Sequence, residues 1–145
     1  MIADFPDTSF LFSLFGNDAH TPSAWAWTRQ AQRPIAVTAL NRYEFRNAVR
    51  FAAFRKMISR ADASSSLTAF EADLNAGYLQ FTTCDLISVI NEADRLSGLH
   101  TIKRGHRSFD VLHVATARLL KARNFLTFDV NQRKLAAAAQ LPVRP

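Results

Sequence analysis

The segment Phe125-Leu-Thr-Phe-Asp-Val-Asn-Gln132 decides the fold, because a short apolar run ends there at an acid and a helical pattern follows. The run Phe125–Phe128 has the length and apolar character of a buried β-strand. The N-terminal part of the chain repeats this arrangement, since Asp7 follows a strand predicted over Ile2–Phe5 and precedes a helical pattern. Two distant parts of the chain therefore place a carboxylate directly after a strand.

Further strands and helices alternate between these two segments. The serine triplet Ser64–Ser66 is predicted to form a loop, with Ser66 capping the helix that follows. Strands separated by helices require crossover connections, so the pattern predicts one α/β domain over residues 1–145, with a central, mostly parallel sheet flanked by helices. The predicted strands are Ile2–Phe5, Ile35–Thr38, Leu79–Thr82, Phe125–Phe128 and a short one at Val143, and the predicted helices cover about 9–15, 22–32, 41–58, 67–76, 85–97, 109–123 and 131–139.

The composition favours an intracellular protein that binds a polyanion. The chain has 18 Lys and Arg against 12 Asp and Glu, which gives a net charge of +6 at pH 7. This balance favours nucleic acid, which binds basic proteins through its phosphates. The single cysteine, Cys84, rules out an intramolecular disulfide and a cysteine-based metal cluster. With no signal-peptide pattern and no apolar run of membrane-spanning length, we expect a soluble, cytoplasmic protein without a membrane partner.

Four separated carboxylates are the candidates for a functional site, and each also has a structural interpretation. Asp7 and Asp129 could cap the helices that follow them. Asp110 could stabilise the first turn of its helix through the helix dipole, and Glu44 could pair with an arginine of the chain. The functional interpretation therefore depends on the four acids together.

Four carboxylates in one place would need a cation. At about 4 Å, two of them repel by about 4 kcal/mol at an effective dielectric constant of 20. Oxygen-only ligands favour hard ions, Mg²⁺ or Mn²⁺, and such ions support phosphodiester hydrolysis. In open parallel sheets, ligands bind beyond the carboxyl ends of the strands, which is where Asp7 and Asp129 are predicted. The sequence thus predicts a metal site at that edge.

Polar neighbours could orient these ligands. His113 lies three residues after Asp110 in an otherwise apolar helix, so it could be a ligand, a base or a hydrogen-bond partner of Asp110. We favour the last, supporting role. The residues predicted to support the acids are Thr8, Thr127, His113 and Asn131.

Two basic groups could contact a phosphate backbone. Arg42, Arg46 and Arg50 form one stripe on the helix that carries Glu44, which is either a solvated face or an edge that follows phosphates. A second patch, Lys103-Arg-Gly-His-Arg107, lies in a predicted loop before Asp110, and loops at strand ends often contact substrate. The candidate RNA contacts are Arg46, Lys103, Arg104 and Arg107.

In order and context, the four acids resemble the PIN domain and, more narrowly, the VapC-type toxins of bacterial type II toxin–antitoxin systems. The resemblance spans residues 2 to about 143. It rests on Asp7-Thr8-Ser9, on Glu44 within Tyr-Glu-Phe-Arg-Asn-Ala-Val, on Asp110-Val-Leu-His-Val-Ala-Thr-Ala, and on Thr127-Phe-Asp129.

The resemblance implies a Rossmann-like PIN fold and Mg²⁺- or Mn²⁺-dependent endonucleolytic cleavage of RNA. It also implies a cognate antitoxin that blocks the site, and a homodimer. The family's acids correspond to Asp7, Glu44, Asp110 and Asp129, with Thr127 as its strand-end hydroxyl. Asp7, Asp110 and Asp129 would hold the metal, and Glu44 would hold a second ion or position the attacking water.

Two departures from the family pattern have physical consequences. Pro6 lacks a backbone donor, so the first strand should end early or lose one ladder bond. Val130-Asn131-Gln132 lacks a further acid that some relatives carry, which leaves one or two metal ions open. A housekeeping PIN-domain RNA-processing nuclease is the first alternative function. A non-catalytic signalling or binding module with an acidic pocket is the second, although Asp7 lacks the adjacent acid that such a module would need.

Overall fold

The computed structural model describes residues 3–145 and shows five strands among seven helices in that range. The predicted order of elements is confirmed, although the first residue of the predicted strand Ile2–Phe5 lies outside the described residues. The elements are β1 Asp4–Pro6, α1 Thr8–Leu14, α2 Thr21–Ala31, β2 Ile35–Val37, α3 Ala39–Phe54, α4 Arg60–Ala76, β3 Leu79–Phe81, α5 Leu86–Arg104, α6 Ser108–Leu119, β4 Asn124–Leu126, α7 Val130–Ala138 and β5 Val143–Arg144.

The five strands form one parallel sheet in the order β3-β2-β1-β4-β5. The predicted α/β fold with a parallel sheet is therefore confirmed. The central strand β1 pairs with β4 from Asp4 opposite Asn124 to Pro6 opposite Leu126. On its other side β1 pairs with β2 only at Asp4 opposite Ile35, as expected from the missing donor of Pro6. The ends of β1 and β4 consequently lie side by side.

Apolar clusters cover both faces of the sheet. Neighbouring residues of a strand point to opposite faces, and Phe125 belongs to one cluster while Leu126 belongs to the other. Helices α5, α6 and α7 pack on the first face, and α1 to α4 pack on the second. The first cluster includes Phe5, Val89, Leu96, Val114, Phe125 and Leu135, and the second includes Phe10, Leu11, Phe45, Val49, Phe70 and Leu126.

The serine triplet is inside a helix, so the predicted loop and cap there are wrong. Helix α4 begins much earlier, after Ser59, whose hydroxyl accepts a hydrogen bond from Asp62 N at 2.9 Å while Ser59 N donates to the Asp62 carboxylate. This reciprocal capping box starts the helix seven residues before Ser66. Ser66 is buried, and its Oγ donates to Phe15 O at 2.7 Å.

The basic patch is also partly helical rather than a loop. Helix α5 extends to Arg104, so Lys103 and Arg104 lie in its last turn, where positive side chains interact favourably with the helix dipole. Gly105 ends the helix with a left-handed φ of 66°, and its N–H donates to Thr101 O at 2.7 Å. Among residues 3–145, no helix is long and apolar enough to span a membrane.

Candidate active site

A cavity of about 700 Å³ opens at the carboxyl ends of β1 and β4, and all four predicted acids line it. Asp7 follows β1 and Asp129 follows β4, while Glu44 comes from α3 and Asp110 from the first turn of α6. Four elements that are far apart in sequence thus bring carboxylates to one place. Such a convergence at the carboxyl edge is the usual location of a ligand site in this fold class.

Asp7 is the most enclosed of the four acids, with an exposed fraction of only 3%. Its Oδ1 accepts hydrogen bonds from Phe10 N at 3.0 Å and Ser9 Oγ at 2.7 Å, and its Oδ2 accepts one from Thr127 Oγ1 at 2.6 Å. Asp7 is therefore the cap of α1 and a lining residue of the cavity at once. Burial raises its pKa to about 6, although these three hydrogen bonds act in the opposite direction.

Two hydroxyl groups join the ends of β1 and β4. Thr127 Oγ1 donates to Asp7 and accepts a hydrogen bond from Asp129 N at 3.0 Å, so one hydroxyl links two of the acids. Ser9 Oγ accepts a hydrogen bond from Phe128 N at 3.0 Å. Thr127 was among the predicted supporting residues. Ser9 was missed, although the sequence signal was its place two residues after Asp7.

Glu44 is held by the protein itself. Thr8 Oγ1 donates to Glu44 Oε1, and His113 Nε2 lies 2.9 Å from the same oxygen. Burial opposes ionisation here, but the hydrogen bond and the charge of His113, together with Thr8, outweigh it and lower the pKa of Glu44. The expected partner of His113 was Asp110, and that expectation is wrong. The alternative that Glu44 pairs with an arginine is not realised either, because Arg42 and Arg46 both bind Glu71.

Asp110 is paired with a neighbouring arginine. Arg107 Nε lies 3.2 Å from Asp110 Oδ2, and the side chain of Arg107 is 82% exposed. Burial raises the pKa of Asp110, the Arg107 charge lowers it, and the charges of Glu44 and Asp129 raise it further. The electrostatic influence of the other two acids shows that the cavity concentrates negative charge.

Asp129 caps α7, where its Oδ1 accepts a hydrogen bond from Gln132 N at 2.8 Å. The buried side chain of Gln132 reaches the other way, and its Nε2 donates to Asp110 O at 3.0 Å. Gln132 thus connects two of the acids and was not identified from the sequence. Asn131 was expected to support Asp129, but its Nδ2 lies 3.2 Å from His106 Nδ1 instead. This contact ties α7 to the segment that precedes α6.

Only one of the four candidate RNA-contact residues lines the cavity. Arg107 does, whereas Lys103 and Arg104 are exposed at the end of α5 outside the cavity lining. Arg46 is held by Glu71, with Nη1 and Oε1 2.7 Å apart. The stripe on α3 is therefore largely an ion-pair surface between α3 and α4.

The oxygen donors of the cavity fit a hard cation, since they are carboxylates and hydroxyls. Among the described residues that line the cavity, His20 is the one imidazole and none supplies a sulfur ligand. Burial raises the pKa of Asp7 and of Asp110, so a cation bound there would offset the cost of their charges. Within residues 3–145, no three His, Cys, Asp or Glu side chains are already arranged to hold an ion. Cation binding would therefore require Asp110 to leave Arg107 and the acids to turn towards one another.

The PIN domain family model matches residues 5–138, so this chain belongs to the PIN domain family. The match covers β1 to α7 and includes all four acids. No curated protein is significantly similar to the chain in sequence.

Solved structures with the same fold come from bacteria and archaea. VapC20 of Mycobacterium tuberculosis, described as a toxin that cleaves the sarcin-ricin loop, has 19% identity and a TM-score of 0.69, covering 99% of this chain and 100% of that one. PAE2754 of Pyrobaculum aerophilum has 18% identity and a TM-score of 0.62, covering 92% of this chain and 84% of that one. FitAcB of Neisseria gonorrhoeae has 14% identity and a TM-score of 0.61, covering 98% and 96%. At these identities the similarity establishes the fold.

Proposed function

We propose that this chain is a metal-dependent endoribonuclease toxin of the VapC type, which hydrolyses RNA phosphodiester bonds and is neutralised by a cognate antitoxin. The observation that carries the proposal is the convergence of four acids from four elements on one cavity of a PIN fold. PIN domains are generally nucleases. The net charge of +6 adds an attraction for a polyanionic substrate.

In this proposal, Asp7, Asp110 and Asp129 would hold Mg²⁺ or Mn²⁺. When bound, the ion supplies a lowered pKa for the attacking water and neutralises charge on the phosphate and leaving oxygen. Thr127 fixes the direction of Asp7 and the backbone of Asp129, so a single hydroxyl orients two of these ligands. Gln132 links Asp129 to Asp110, because its backbone N–H donates to Asp129 Oδ1 and its side-chain Nε2 donates to the backbone oxygen of Asp110.

Glu44 is suited to orient the attacking water or to bind a second ion. Thr8 and His113 both bind Oε1, which leaves Oε2 without a hydrogen-bond partner among the described residues. The lowered pKa keeps this carboxylate ionised at neutral pH. A free, charged oxygen on a fixed side chain can accept a hydrogen bond from water at a defined position.

Arg107 would act on substrate once a cation has replaced it at Asp110. Its guanidinium lines the cavity and is largely exposed, so little has to move for it to reach a phosphate. Arginine binds phosphate oxygens with two parallel N–H donors, which suits it to this task.

The test is cleavage of RNA by purified protein with Mn²⁺ or Mg²⁺. We expect cleavage that stops when EDTA is added and is abolished by Asp7→Asn. A matched control is Asp94→Asn, because Asp94 is an exposed acid on α5 outside the cavity. Equal cleavage in EDTA would disprove the metal mechanism, and full activity of Asp7→Asn would remove Asp7 from the site.

The toxin assignment is tested separately from the chemistry, since a housekeeping PIN-domain nuclease would use the same residues. Induction of the wild-type chain should arrest growth, whereas Asp7→Asn should not. A short reading frame encoding a DNA-binding protein directly upstream, whose product binds this chain and stops cleavage, would identify the antitoxin. RNA cleavage without growth arrest would favour the housekeeping alternative. We also expect a cytoplasmic homodimer, which light scattering of the purified protein and cell fractionation can test.

A further inference from the structure

Three aromatic rings form a column that runs from the core to the wall of the cavity. Phe10 and Phe128 stack with centroids 5.5 Å apart and planes 15° from parallel. Phe128 and His20 stack with centroids 4.5 Å apart and planes 11° from parallel. Phe10 is fully buried, Phe128 is half-buried and His20 is exposed. The column therefore presents one flat ring, that of His20, at the surface.

His20 does not use its side chain to start its helix. It precedes α2 at the cap position, but its side chain makes no capping hydrogen bond. Its backbone N–H is bound by Asp18 Oδ1 at 2.8 Å, which fixes the residue without using the ring. In the part of the chain that the structure describes, no second aromatic ring packs on His20. The imidazole thus packs on Phe128, and His20 as a whole is exposed.

The column of Phe10, Phe128 and His20 ends at the cavity that the four acids line. His20 and Phe128 line the same cavity as the four carboxylates, and Phe128 lies between Thr127 and Asp129 in the sequence. A group stacked on His20 would therefore share this cavity with a phosphate held at the acids. In RNA each base is attached to a ribose, and phosphates join one ribose to the next, so a stacking ring and a phosphate-binding site in one cavity suit a nucleotide and its phosphate.

We infer that His20, supported by Phe128, is a stacking platform for an unpaired nucleobase of the RNA substrate. This inference rests on the proposed nuclease function and adds to it the residues that would hold one base of the substrate. Bases in a duplex are already stacked on their neighbours, whereas unpaired bases can stack on aromatic side chains. Stacking accepts any base, so the platform selects strand structure rather than sequence.

The experiment measures binding of a single-stranded oligoribonucleotide that contains 2-aminopurine, whose fluorescence is quenched when it stacks. Ca²⁺ is present to occupy oxygen ligands, and a duplex of the same sequence is compared. The variants are His20→Ala, which removes the ring, and His20→Phe, which keeps a flat ring without its nitrogens. His100→Ala, outside the cavity lining, is the matched control.

We expect His20→Ala to weaken single-strand binding by about 5- to 100-fold and to abolish quenching, with duplex binding unchanged. His20→Phe and His100→Ala should bind and quench as the wild type does. Wild-type affinity in His20→Ala, or equal loss for single strand and duplex, would overturn the platform. Cleavage in Mn²⁺ is measured alongside. Normal cleavage without stacking overturns only the platform, and stacking without any cleavage overturns only the proposed nuclease.

Discussion

At the scale of single residues, Asp7 combines two requirements in one carboxylate. It accepts three hydrogen bonds that start α1 and join β1 to β4, and in the proposed mechanism it also binds a cation. Burial makes the ionised form of Asp7 costly and raises its pKa to about 6. The same burial would strengthen the attraction between this carboxylate and a bound cation, because the local dielectric constant is low.

The first prediction concerns stability against pH in EDTA. The pKa of Asp7 rises from its usual 3.8 to about 6 on folding, so the neutral carboxyl stabilises the folded protein. This contribution is complete below pH 3.8 and is lost as the pH rises through about 6. The loss is worth about 3 kcal/mol. Urea unfolding should show roughly half of this loss, about 1.5 kcal/mol, between pH 5 and pH 8 in the wild type, and Asp7→Asn should remove that part. A pH dependence that Asp7→Asn leaves unchanged would assign it to another group.

The second prediction concerns Thr127. Replacing it with valine keeps the shape but leaves Asp7 Oδ2 without a donor and Asp129 N without an acceptor. We expect a loss of about 1–3 kcal/mol of unfolding free energy. RNA cleavage should fall as well, because two acids lose their orientation. Thr127→Ser retains the hydroxyl and should stay close to the wild type in both measurements. A Thr127→Val protein that cleaves normally would leave the hydroxyl without a role in the site.

At the scale of elements, the start of α3 shows how a side chain replaces a missing ladder bond. Asn41 is fully buried, and its Nδ2 donates to Pro6 O at 2.9 Å. Its Oδ1 accepts hydrogen bonds from Thr38 N at 2.9 Å and from Thr38 Oγ1 at 2.8 Å. The capping box of α3 thereby fastens this helix to the end of β1, which sets where Glu44 stands relative to Asp7.

The third prediction is therefore about Asn41. Asn41→Ala leaves the Pro6 carbonyl and the Thr38 N–H unpaired in a buried place, at about 1–3 kcal/mol for each unpaired group. Chemical denaturation should report this loss, and RNA cleavage should fall with it. Asn47→Ala on the same helix is the control, since Asn47 is exposed and a surface change of this kind stays within about 0.5 kcal/mol. Equal effects of the two variants would contradict this account of the cap.

The order of strands and helices and the acids that follow β1 and β4 could be predicted from the sequence, because periodicity and strand-end acids are local signals. The partners of buried polar groups could not be predicted. His113 and Glu44 are 69 residues apart and meet only because α6 and α3 pack at one edge of the sheet. The loop predicted at Ser64–Ser66 was wrong for a related reason, because the start of α4 is determined by residues outside the triplet. Small polar residues are tolerated on a helix whose start is fixed elsewhere, here at Ser59.

At the scale of the whole molecule, charge is divided between a negative cavity and a positive remainder. The cavity holds buried or partly buried carboxylates that repel one another. On α3, by contrast, Glu71 pairs with Arg42 and Arg46. Basic residues outside such pairs are the ones free to act on a phosphate backbone. Lys103 and Arg104, exposed at the end of α5, are the adjacent pair closest in sequence to the acid of α6.

The fourth prediction tests that pair through salt dependence. Each phosphate contact to a single strand contributes about −0.7 to the slope of log affinity against log salt concentration. If both residues bind phosphate, Lys103→Gln with Arg104→Gln should make the slope less steep by about 1.4. The charge-matched control is Arg55→Gln with Lys56→Gln, an exposed pair after α3. Identical slopes in the two double variants would exclude Lys103 and Arg104 as specific contacts.

The pairing of β1 with β4 also determines when the cavity can form during synthesis of the chain. Asp7 and Thr127 are 120 residues apart. The strands that precede them, β1 and β4, must pair before the cavity at their carboxyl ends can form. A ribosome that has translated only the first hundred codons carries a chain with two of the four acids and no partner for β1 on the side of β4. If the chain is the proposed nuclease, its unfinished form lacks the assembled site, and premature stop codons before Thr127 should yield inert fragments.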